Sequence, residues 1–356
     1  MSRLNHLERG ALAAIALLTA LAGIANYGEW AAIPRFLLAT LALAGLAWVV
    51  SFATEQLGER YGPGVTGLLQ STLGNLPELF VVIFALQKGE LVVAQTAIVG
   101  SVLANALLVL GLVIVVGASR APDGVMRFSK RLPRDTATLL QVTVFIIVLL
   151  GLSLGSHDPA SHHVKTLSAI GAVCLLVVYL TWVVPYLRSD QPPAAPVEGA
   201  AGGPRLSVRM IVTLLVAGGV GSAFVSDWFI NGLQPAISQL GLSEAFAGLV
   251  VVAIAGNAVE NAAGLVLAYK GRSDLAISVV KNSVAQIAAF LFPLLVLISF
   301  ALSTTLTFAL APVYIGALGL AALALWQVTG DGRAAAFEGW ALVALYVILA
   351  AFTLYE

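Results

Sequence analysis

GNLPE at residues 74–78 and GNAVE at residues 256–260 are two copies of one motif, and each lies inside a long apolar stretch. Ten residues after each glutamate the chain reads Lys-Gly, at 88–89 and at 270–271. Several matches at identical offsets, without a gap, predict an internal repeat. In each copy Asn and Glu are three residues apart, so they share one face of a helix.

The composition around these motifs is that of a membrane protein. Of the 356 residues, 60% are hydrophobic and 10% are charged, whereas a soluble domain is about 25% charged. A helix needs about 20 apolar residues to cross the hydrocarbon core. Eleven runs meet that need: 11–28, 33–54, 63–87, 90–118, 136–154, 164–187, 208–228, 244–270, 273–300, 305–328 and 334–354.

The placement of lysine and arginine predicts the orientation, because cytoplasmic loops carry an excess of both. With the N-terminus in the cytoplasm, fourteen basic residues fall on the inside and only Arg35, Lys88 and Lys165 on the outside. The remaining basic residue, Lys281, lies within a span. The sequence therefore predicts a cytoplasmic N-terminus and an external C-terminus.

A stretch rich in Pro, Gly and Ala from Ser189 to Pro204 reads as a cytoplasmic linker. It divides the chain into a leading helix at 1–32, a five-helix repeat at 33–187, the linker region at 188–207 and a second five-helix repeat at 208–356. Because each repeat holds an odd number of helices, the two have opposite orientations. We therefore expect an all-α polytopic membrane protein of about eleven helices.

Glu78 and Glu260 are the candidate functional residues of the two motifs. A carboxylate at the bilayer centre costs about 2.5–3.5 kcal/mol on insertion scales, so its presence there calls for a reason. The Gly-Asn pair before each glutamate weakens the helix, and Pro77 adds a second break in the first repeat. Carbonyl groups freed by a kink are tolerated at this depth when they face a cavity or an ion. The alternative is that each glutamate pairs with a base and locks the helix bundle.

Further oxygen donors follow in both repeats. A serine lies twenty-three residues after each glutamate, at Ser101 and Ser283, and Asn105 and Gln286 share the faces of these serines. Together with Asn75 and Asn257 they form a set of hard oxygen ligands, which suits Ca²⁺, or Na⁺ with fewer charges. We expect Glu78 and Glu260 to be the metal ligands, and we expect no cofactor besides the transported cations and protons.

The two carboxylates also provide a means of coupling. Burial disfavours the charged form of a carboxylate, whereas a bound cation favours it. Proton and metal then compete for the same oxygen atoms, and a pair of glutamates that exchanges two protons for one Ca²⁺ is electroneutral.

These residues resemble the calcium/proton exchangers of the cation/Ca²⁺ exchanger superfamily. The resemblance rests on the paired Gly-Asn-x-x-Glu motifs, on IVGSVLANALLVLG at 98–111 and on LSEAFAGLV at 242–250. It covers roughly residues 35 to 355. It implies one leading helix, two inverted five-helix bundles, and Glu78 and Glu260 as central cation ligands. Asn75, Asn257, Ser101 and Ser283 would then support them.

Several positions depart from the family pattern and bear on which cation is carried. Asn261 stands where the family usually has His, and Asn282 where it has Gly. Lys281 has two interpretations. Its side chain reaches the cytoplasmic face or pairs with a polar group in the bundle, or it is a tethered cation near Glu260 that lowers the affinity for a divalent ion.

Three other polar residues are weaker candidates. Glu55 and Asp227 precede the two motifs in comparable helices, where they line an approach for cations or are simply solvated. Gln95 faces a cavity only if the fourth span is a regular helix.

Ca²⁺/H⁺ antiport by alternating access is therefore the function we expect, in the cytoplasmic (inner) membrane of a prokaryote. The alternative on the same architecture is Na⁺ or K⁺ against H⁺, or Na⁺ against Ca²⁺. An intramembrane protease would need a His-Glu-x-x-His motif or a pair of membrane aspartates, and neither occurs in the sequence. The expected partners are inorganic cations, protons and the lipid bilayer, with a homo-oligomer possible. The net charge of zero gives no sign of the excess positive charge that nucleic-acid binding requires.

Overall fold

Apart from two short strands, the regular structure in the described part of the chain is helical. The computed structural model describes residues 4–61, 73–188 and 206–356. The helices and strands are α1 (His6–Tyr27), α2 (Ala32–Tyr61), α3 (Leu76–Gln87), α4 (Leu91–Leu103), π1 (Ala104–Val109), α5 (Leu110–Arg120), β1 (Val125–Arg127), α6 (Arg131–Ser156), a 3₁₀ turn (Pro159–His163), α7 (Val164–Arg188), α8 (Val208–Leu240), α9 (Glu244–Phe246), π2 (Ala247–Val252), α10 (Ala253–Gly256), α11 (Ala258–Tyr269), α12 (Ser273–Gln286), π3 (Ile287–Leu291), α13 (Phe292–Ser299), α14 (Pro312–Thr329), β2 (Arg333–Ala335) and α15 (Ala336–Leu354).

Within these described ranges, nine helices are long and apolar enough to cross a membrane. A tenth span arises if the bent pair Glu244–Gly256 and Asn261–Tyr269 counts as one. The chain is thus an all-α membrane protein, as expected. Most of the predicted third span, residues 63–87, lies in 62–72, outside the described residues, and its described part is the short apolar helix α3. The count of eleven remains a prediction.

Two helices are longer than their apolar runs. The runs at 33–54 and 208–228 extend to α2 (Ala32–Tyr61) and α8 (Val208–Leu240). At 1.5 Å per residue, the 33 residues of α8 span about 50 Å, more than the roughly 30 Å of the hydrocarbon core. Hydropathy marks only the part of such a helix that lies in the hydrocarbon, so its ends are missed.

The predicted span at 305–328 begins too early, because its helix starts at Pro312. Residues 305–311 are not helical. A residue that precedes proline avoids the helical region, and proline is favoured in the first turn, so Pro312 fixes the start of α14.

Side chains bind the irregular backbone before α14. The Ser299 hydroxyl accepts from Leu306 N at 2.9 Å, and the Ser168 hydroxyl accepts from Phe308 N at 3.2 Å. The Gln95 amide donates to the Ala309 carbonyl at 3.1 Å. Non-helical backbone is tolerated at membrane depth where protein groups satisfy it in this way.

The described residues fall into two compact units. Unit 1 takes its residues from Met1–Phe84, Trp182–Glu244 and Ala255–Val259. In it α2 packs along α8, and aromatic side chains fill the contact: the rings of Phe36 and Phe229 lie 5.1 Å apart.

Unit 2 takes its residues from Ala85–Thr181, Ala245–Ile254 and Glu260–Glu356. Here α5 and α15 approach closely, because a Cβ atom on Gly111 would lie 2.5 Å from the Gly339 carbonyl oxygen. Small residues are typical of such close helix contacts in membranes. Both units draw on both sequence repeats. The division into repeats at 33–187 and 208–356 stays a prediction about sequence halves.

The two repeats share a local irregularity of the helix. The motif glutamates are 182 positions apart (260 − 78), and π1 at Ala104–Val109 falls, with that offset, on π3 at Ile287–Leu291. Single π-helical turns inside α-helices occur frequently at functional sites.

In unit 2, loops predicted to lie on the same side of the membrane contact each other. The strands pair antiparallel, with Met126 opposite Ala334, and Ser129 N donates to Asp274 Oδ1 at 2.6 Å. These loops all belong to the predicted inside. The Ser303 hydroxyl donates to the carbonyl of Gln87 at 2.9 Å, and both residues belong to the predicted outside. Which side faces the cytoplasm stays a prediction.

Candidate functional site

Each motif interrupts its helix just before the glutamate. In the first motif, residues 74 and 75 form a turn and α3 begins at Leu76, which places Pro77 and Glu78 in its first turn. Proline is tolerated there, where its missing N–H would have no partner within the helix. The positive end of the helix dipole also favours a carboxylate in the first turn.

The second motif breaks in the same way. Asn257 forms a turn between α10 and α11, and Glu260 is the third residue of α11. The helical segments on either side, Glu244–Gly256 and Asn261–Tyr269, differ in direction by 59°. The helix is therefore interrupted at Gly-Asn in both motifs, and the bend itself is seen in the second. The side chain of Glu260 lies outside what the structure describes.

The two motifs meet in the core of unit 1. The side chain of Glu78 is 2% exposed, and Asn75 and Asn257 are buried with it. A Cβ atom on Gly256 would lie 3.8 Å from Cβ of Glu78. The glutamate of the first repeat therefore packs against the glycine of the second motif.

Two serines of α8 join this cluster and were not identified from the sequence. Ser222 and Ser226 are fully buried in unit 1. The Ser226 hydroxyl donates to the Pro77 carbonyl at 3.4 Å, one residue before Glu78. The hydroxyl oxygen of Ser222 has no hydrogen-bond partner among the described residues. Their four-residue spacing places them on one face of an apolar helix, and this spacing is the sequence signal by which they could have been identified.

In unit 2, Ser101 and Asn105 are both fully buried at the junction of α4 and π1. The Asn105 amide donates to the Ser101 carbonyl at 2.9 Å. A Cβ atom on the neighbouring Gly100 would overlap the carbonyl oxygen of Leu249. The segments 98–111 and 242–250 therefore cross with their backbones in contact.

Two second-repeat residues of the predicted set, Ser283 and Gln286, lie on α12. Ser283 is buried in α12, and Gln286 is the last residue of that helix. α12 packs against α4 and π1, the helical segments of Ser101 and Asn105.

Several oxygen atoms in unit 2 are ready to accept a hydrogen bond or a cation. They are the hydroxyl oxygen of Ser283 and the amide oxygens of Asn105, Asn261 and Asn282, buried atoms with no hydrogen-bond partner in the part of the chain that the structure describes. Buried polar atoms are nearly always satisfied by protein, water or an ion. Neutral oxygen donors of this kind are ligands for Ca²⁺ and Na⁺.

Lys281 is fully buried in unit 2 and pairs within the bundle. Its Nζ donates to the Thr329 hydroxyl of α14 at 2.9 Å, and the Thr329 hydroxyl donates to the Leu325 carbonyl at 2.6 Å. The Thr136 hydroxyl of α6 donates to the Lys281 carbonyl at 3.4 Å. This geometry favours the interpretation of Lys281 as a residue that pairs with a polar group of the bundle.

The weaker candidates lie in other surroundings. Gln95 holds the Ala309 carbonyl. Glu55 is exposed on α2. Asp227 is partly buried on α8 and accepts from the Asn231 amide at 3.2 Å.

Comparison with known proteins gives extensive matches. The sodium/calcium exchanger protein family matches over residues 31–185 and 210–355. A Ca²⁺/H⁺ antiporter of Synechocystis sp. is 32% identical over 348 residues, which cover 92% of this chain and 92% of that protein. A vacuolar calcium ion transporter of Schizosaccharomyces pombe is 31% identical over 332 residues, with 92% of this chain and 80% of that protein covered.

Solved structures of similar fold agree with these sequence matches. A crystal structure of selenium-substituted YfkE, a Ca²⁺/H⁺ antiporter protein, shares 26% sequence identity and a TM-score of 0.79. The match covers 98% of this chain and 100% of that one. The duplicated Gly-Asn-x-x-Glu motifs, the helical membrane fold and the family match over most of its length establish that the chain belongs to the sodium/calcium exchanger protein family.

Proposed function

We propose that the protein exchanges Ca²⁺ for H⁺ across a membrane, with Glu78 and Glu260 as the residues that bind the cation or the protons. The observation that carries the proposal is the burial of Glu78, 2% exposed, against Gly256 of the second motif. A buried carboxylate in a membrane protein is costly, and this one lies against a residue of the motif in the other repeat.

The oxygen donors of unit 2 support the same chemistry. Asn105 and Ser283 offer neutral oxygen atoms without hydrogen-bond partners among the described residues, and Ca²⁺ takes six to eight oxygen ligands. Asn75, Asn257, Ser101 and Gln286 are proposed to complete the set. Asn261 and Asn282 are proposed to tune its affinity. The relatives from Synechocystis sp. and Schizosaccharomyces pombe, a Ca²⁺/H⁺ antiporter and a vacuolar calcium ion transporter, support the same substrate.

Reconstitution tests this proposal. Proteoliposomes with an imposed pH gradient are supplied with Ca²⁺ or Na⁺ separately, for the wild type, Glu78→Gln and Glu260→Gln. We expect proton-driven Ca²⁺ uptake in the wild type and its loss in both variants, because an amide cannot release a proton or neutralise Ca²⁺. Uptake of Na⁺ alone would assign the chain to monovalent exchange, and transport by either variant would contradict the assignment of that glutamate.

Asp123→Asn is the matched control. Asp123 lies in an exposed loop outside the spans, and its hydrogen bond with Arg127 lowers its pKa to about 2. The carboxylate therefore stays ionised at any pH used for transport and cannot carry protons. We expect this variant to transport at the wild-type rate with an unchanged pH profile.

The setting follows from the same proposal. We place the protein in the cytoplasmic membrane with its N-terminus inside, acting as a transporter rather than an enzyme and without a resident cofactor. Its partners would be inorganic cations, protons and lipid, and a homo-oligomer remains a prediction.

A further inference from the structure

An apolar groove runs between α6 and α7 in unit 2. It has a volume of about 580 Å³, and its walls are mostly aliphatic, with Ile146, Leu149, Leu167 and Ile170 among the lining residues. Ligand sites typically measure about 300–1,000 Å³. Both helices are candidate membrane spans, so the groove lies at the depth of the bilayer.

The two helices touch within the groove, and one end of the groove is polar. A Cβ atom on Gly171 would lie 2.9 Å from the Ile146 side chain, so the two helices touch there. Towards the 3₁₀ turn that connects them, the lining includes Ser153, Ser156 and Asp158. From Ile146 to Ser156 is ten residues, or about 15 Å along a helix. That depth is half of the roughly 30 Å hydrocarbon core, which is the thickness of one lipid leaflet.

The polar end carries one negative charge. Asp158 is the single charged residue among the lining residues, all of which the structure describes. One of its oxygens accepts from Ala160 N at 2.8 Å, and its side chain is exposed. The buried Ser153 hydroxyl has no hydrogen-bond partner in the described parts of the chain. This end is therefore complementary to a group that carries positive charge and hydrogen-bond donors.

We propose that the groove binds one membrane phospholipid with a primary-amine headgroup. One acyl chain lies along the aliphatic walls from the headgroup level past Gly171 to Cys174. The ammonium group lies at Asp158 and the serine hydroxyls. A helix of a second copy is about 10–12 Å wide with its side chains, so it cannot enter a cleft whose walls touch at Gly171. A single hydrocarbon chain is far narrower.

Native mass spectrometry of the full-length protein tests the proposal. The purified protein is incubated with phosphatidylethanolamine or phosphatidylcholine of identical acyl chains. We expect one bound phosphatidylethanolamine per chain, retained about tenfold better than phosphatidylcholine, because only the primary ammonium can donate hydrogen bonds to Asp158. Asp158→Asn should remove the preference between the two lipids without abolishing lipid binding.

Two tryptophan variants separate the groove from the general lipid surface. Cys174 and Val173 are neighbouring exposed residues of α7, but Cys174 lines the groove and Val173 does not. Cys174→Trp should abolish retention of the lipid, and Val173→Trp should leave it unchanged. Equal retention by the wild type and both variants would overturn the proposal. A dimer mass that only Cys174→Trp disrupts would overturn it in favour of an interface between copies.

A second measurement does not depend on a folded variant. A phosphatidylethanolamine with a photoactivatable acyl chain is irradiated with the wild-type protein, and the crosslinked peptides are identified. We expect adducts within 146–174, competed by phosphatidylethanolamine and about tenfold less by phosphatidylcholine. Adducts spread evenly over the lipid-facing helices would contradict a specific site.

Discussion

At the residue scale, Lys281 is the clearest difference between the two repeats. With the offset of 182, its counterpart in the first repeat is Val99, which is also buried. The lysine amine lies against Thr329, and both side chains are buried. The second repeat has therefore replaced an apolar contact by a hydrogen-bonded pair that joins α12 to α14.

This pair predicts unequal effects of removing its two members. Thr329→Val leaves a buried amine without its acceptor, which costs about 1–3 kcal/mol. Lys281→Met removes the amine, while the Thr329 hydroxyl keeps its bond to the Leu325 carbonyl, so the stability should change by less than about 1 kcal/mol. Unfolding in detergent, followed by denaturation midpoints, measures both.

Thr138→Val is the control, because the Thr138 hydroxyl also bonds to the carbonyl four residues before it but is exposed and holds no lysine. Equal destabilisation by Thr329→Val and Thr138→Val would contradict the role of the pair. Lys281→Met should also leave the apparent Ca²⁺ affinity unchanged. A higher affinity would instead support the interpretation of Lys281 as a tethered cation near Glu260.

At the scale of the elements, the crossing of α4 and π2 sets the position of Ser101. Gly100 faces the backbone of Leu249, and Gly248 faces the side chain of Thr96. Both segments contain a residue without a side chain at the contact, so their backbones approach more closely than any larger residue would allow. A π-helical turn follows Ser101 and Ser283 in each repeat.

Gly100→Ala should therefore be costly. Its Cβ would overlap a backbone carbonyl, which cannot move away as a side chain can, and overpacking of this kind costs about 1–3 kcal/mol. We expect a lower unfolding midpoint together with a reduced rate of Ca²⁺ transport in proteoliposomes.

Gly316→Ala is the matched control within a helix. A Cβ on Gly316 meets nothing within 4 Å, and alanine is favoured over glycine inside a helix by about 0.5–1 kcal/mol. This variant should be as stable as the wild type or slightly more stable. If Gly100→Ala were as stable as Gly316→Ala, this result would contradict the close approach of the α4 and π2 backbones.

At the scale of the whole molecule, the alternation of loops between two sides is open to direct measurement. Cys174 is the single cysteine, so Cys174→Ser gives a background without thiols. In it, Asp123→Cys and His162→Cys place one thiol in each of two exposed loops of unit 2. The distribution of lysine and arginine places position 123 inside and position 162 outside.

A membrane-impermeant maleimide applied to intact cells should label position 162 and not position 123. Position 123 should react only after the membrane is permeabilised. The opposite pattern would reverse the orientation. Labelling of both positions from one side would contradict the predicted path of the chain between them.

The sequence determined the class of fold, the repeat and the chemistry of the motifs. Most spans were identified because the thickness of the bilayer sets the length of apolar sequence that a spanning helix needs. The helix breaks at 74–75 and 257 could be predicted because the local residues, Gly and Asn, disfavour a continuous helix. Matching offsets revealed the repeat because insertions would have destroyed them.

Tertiary structure decided which residues lie together. That Glu78 packs against Gly256, that Lys281 lies against Thr329, and that Ser226 bonds to the Pro77 carbonyl depends on contacts between residues far apart in the chain. Periodicity gives the face on which a side chain lies but not the partner that this face meets. The sequence did not show that the helix starts at Pro312 or that Gln95 bonds to Ala309. The run from 305 to 311 is apolar whether or not it is helical. It stays non-helical because side chains from other parts of the chain satisfy its backbone.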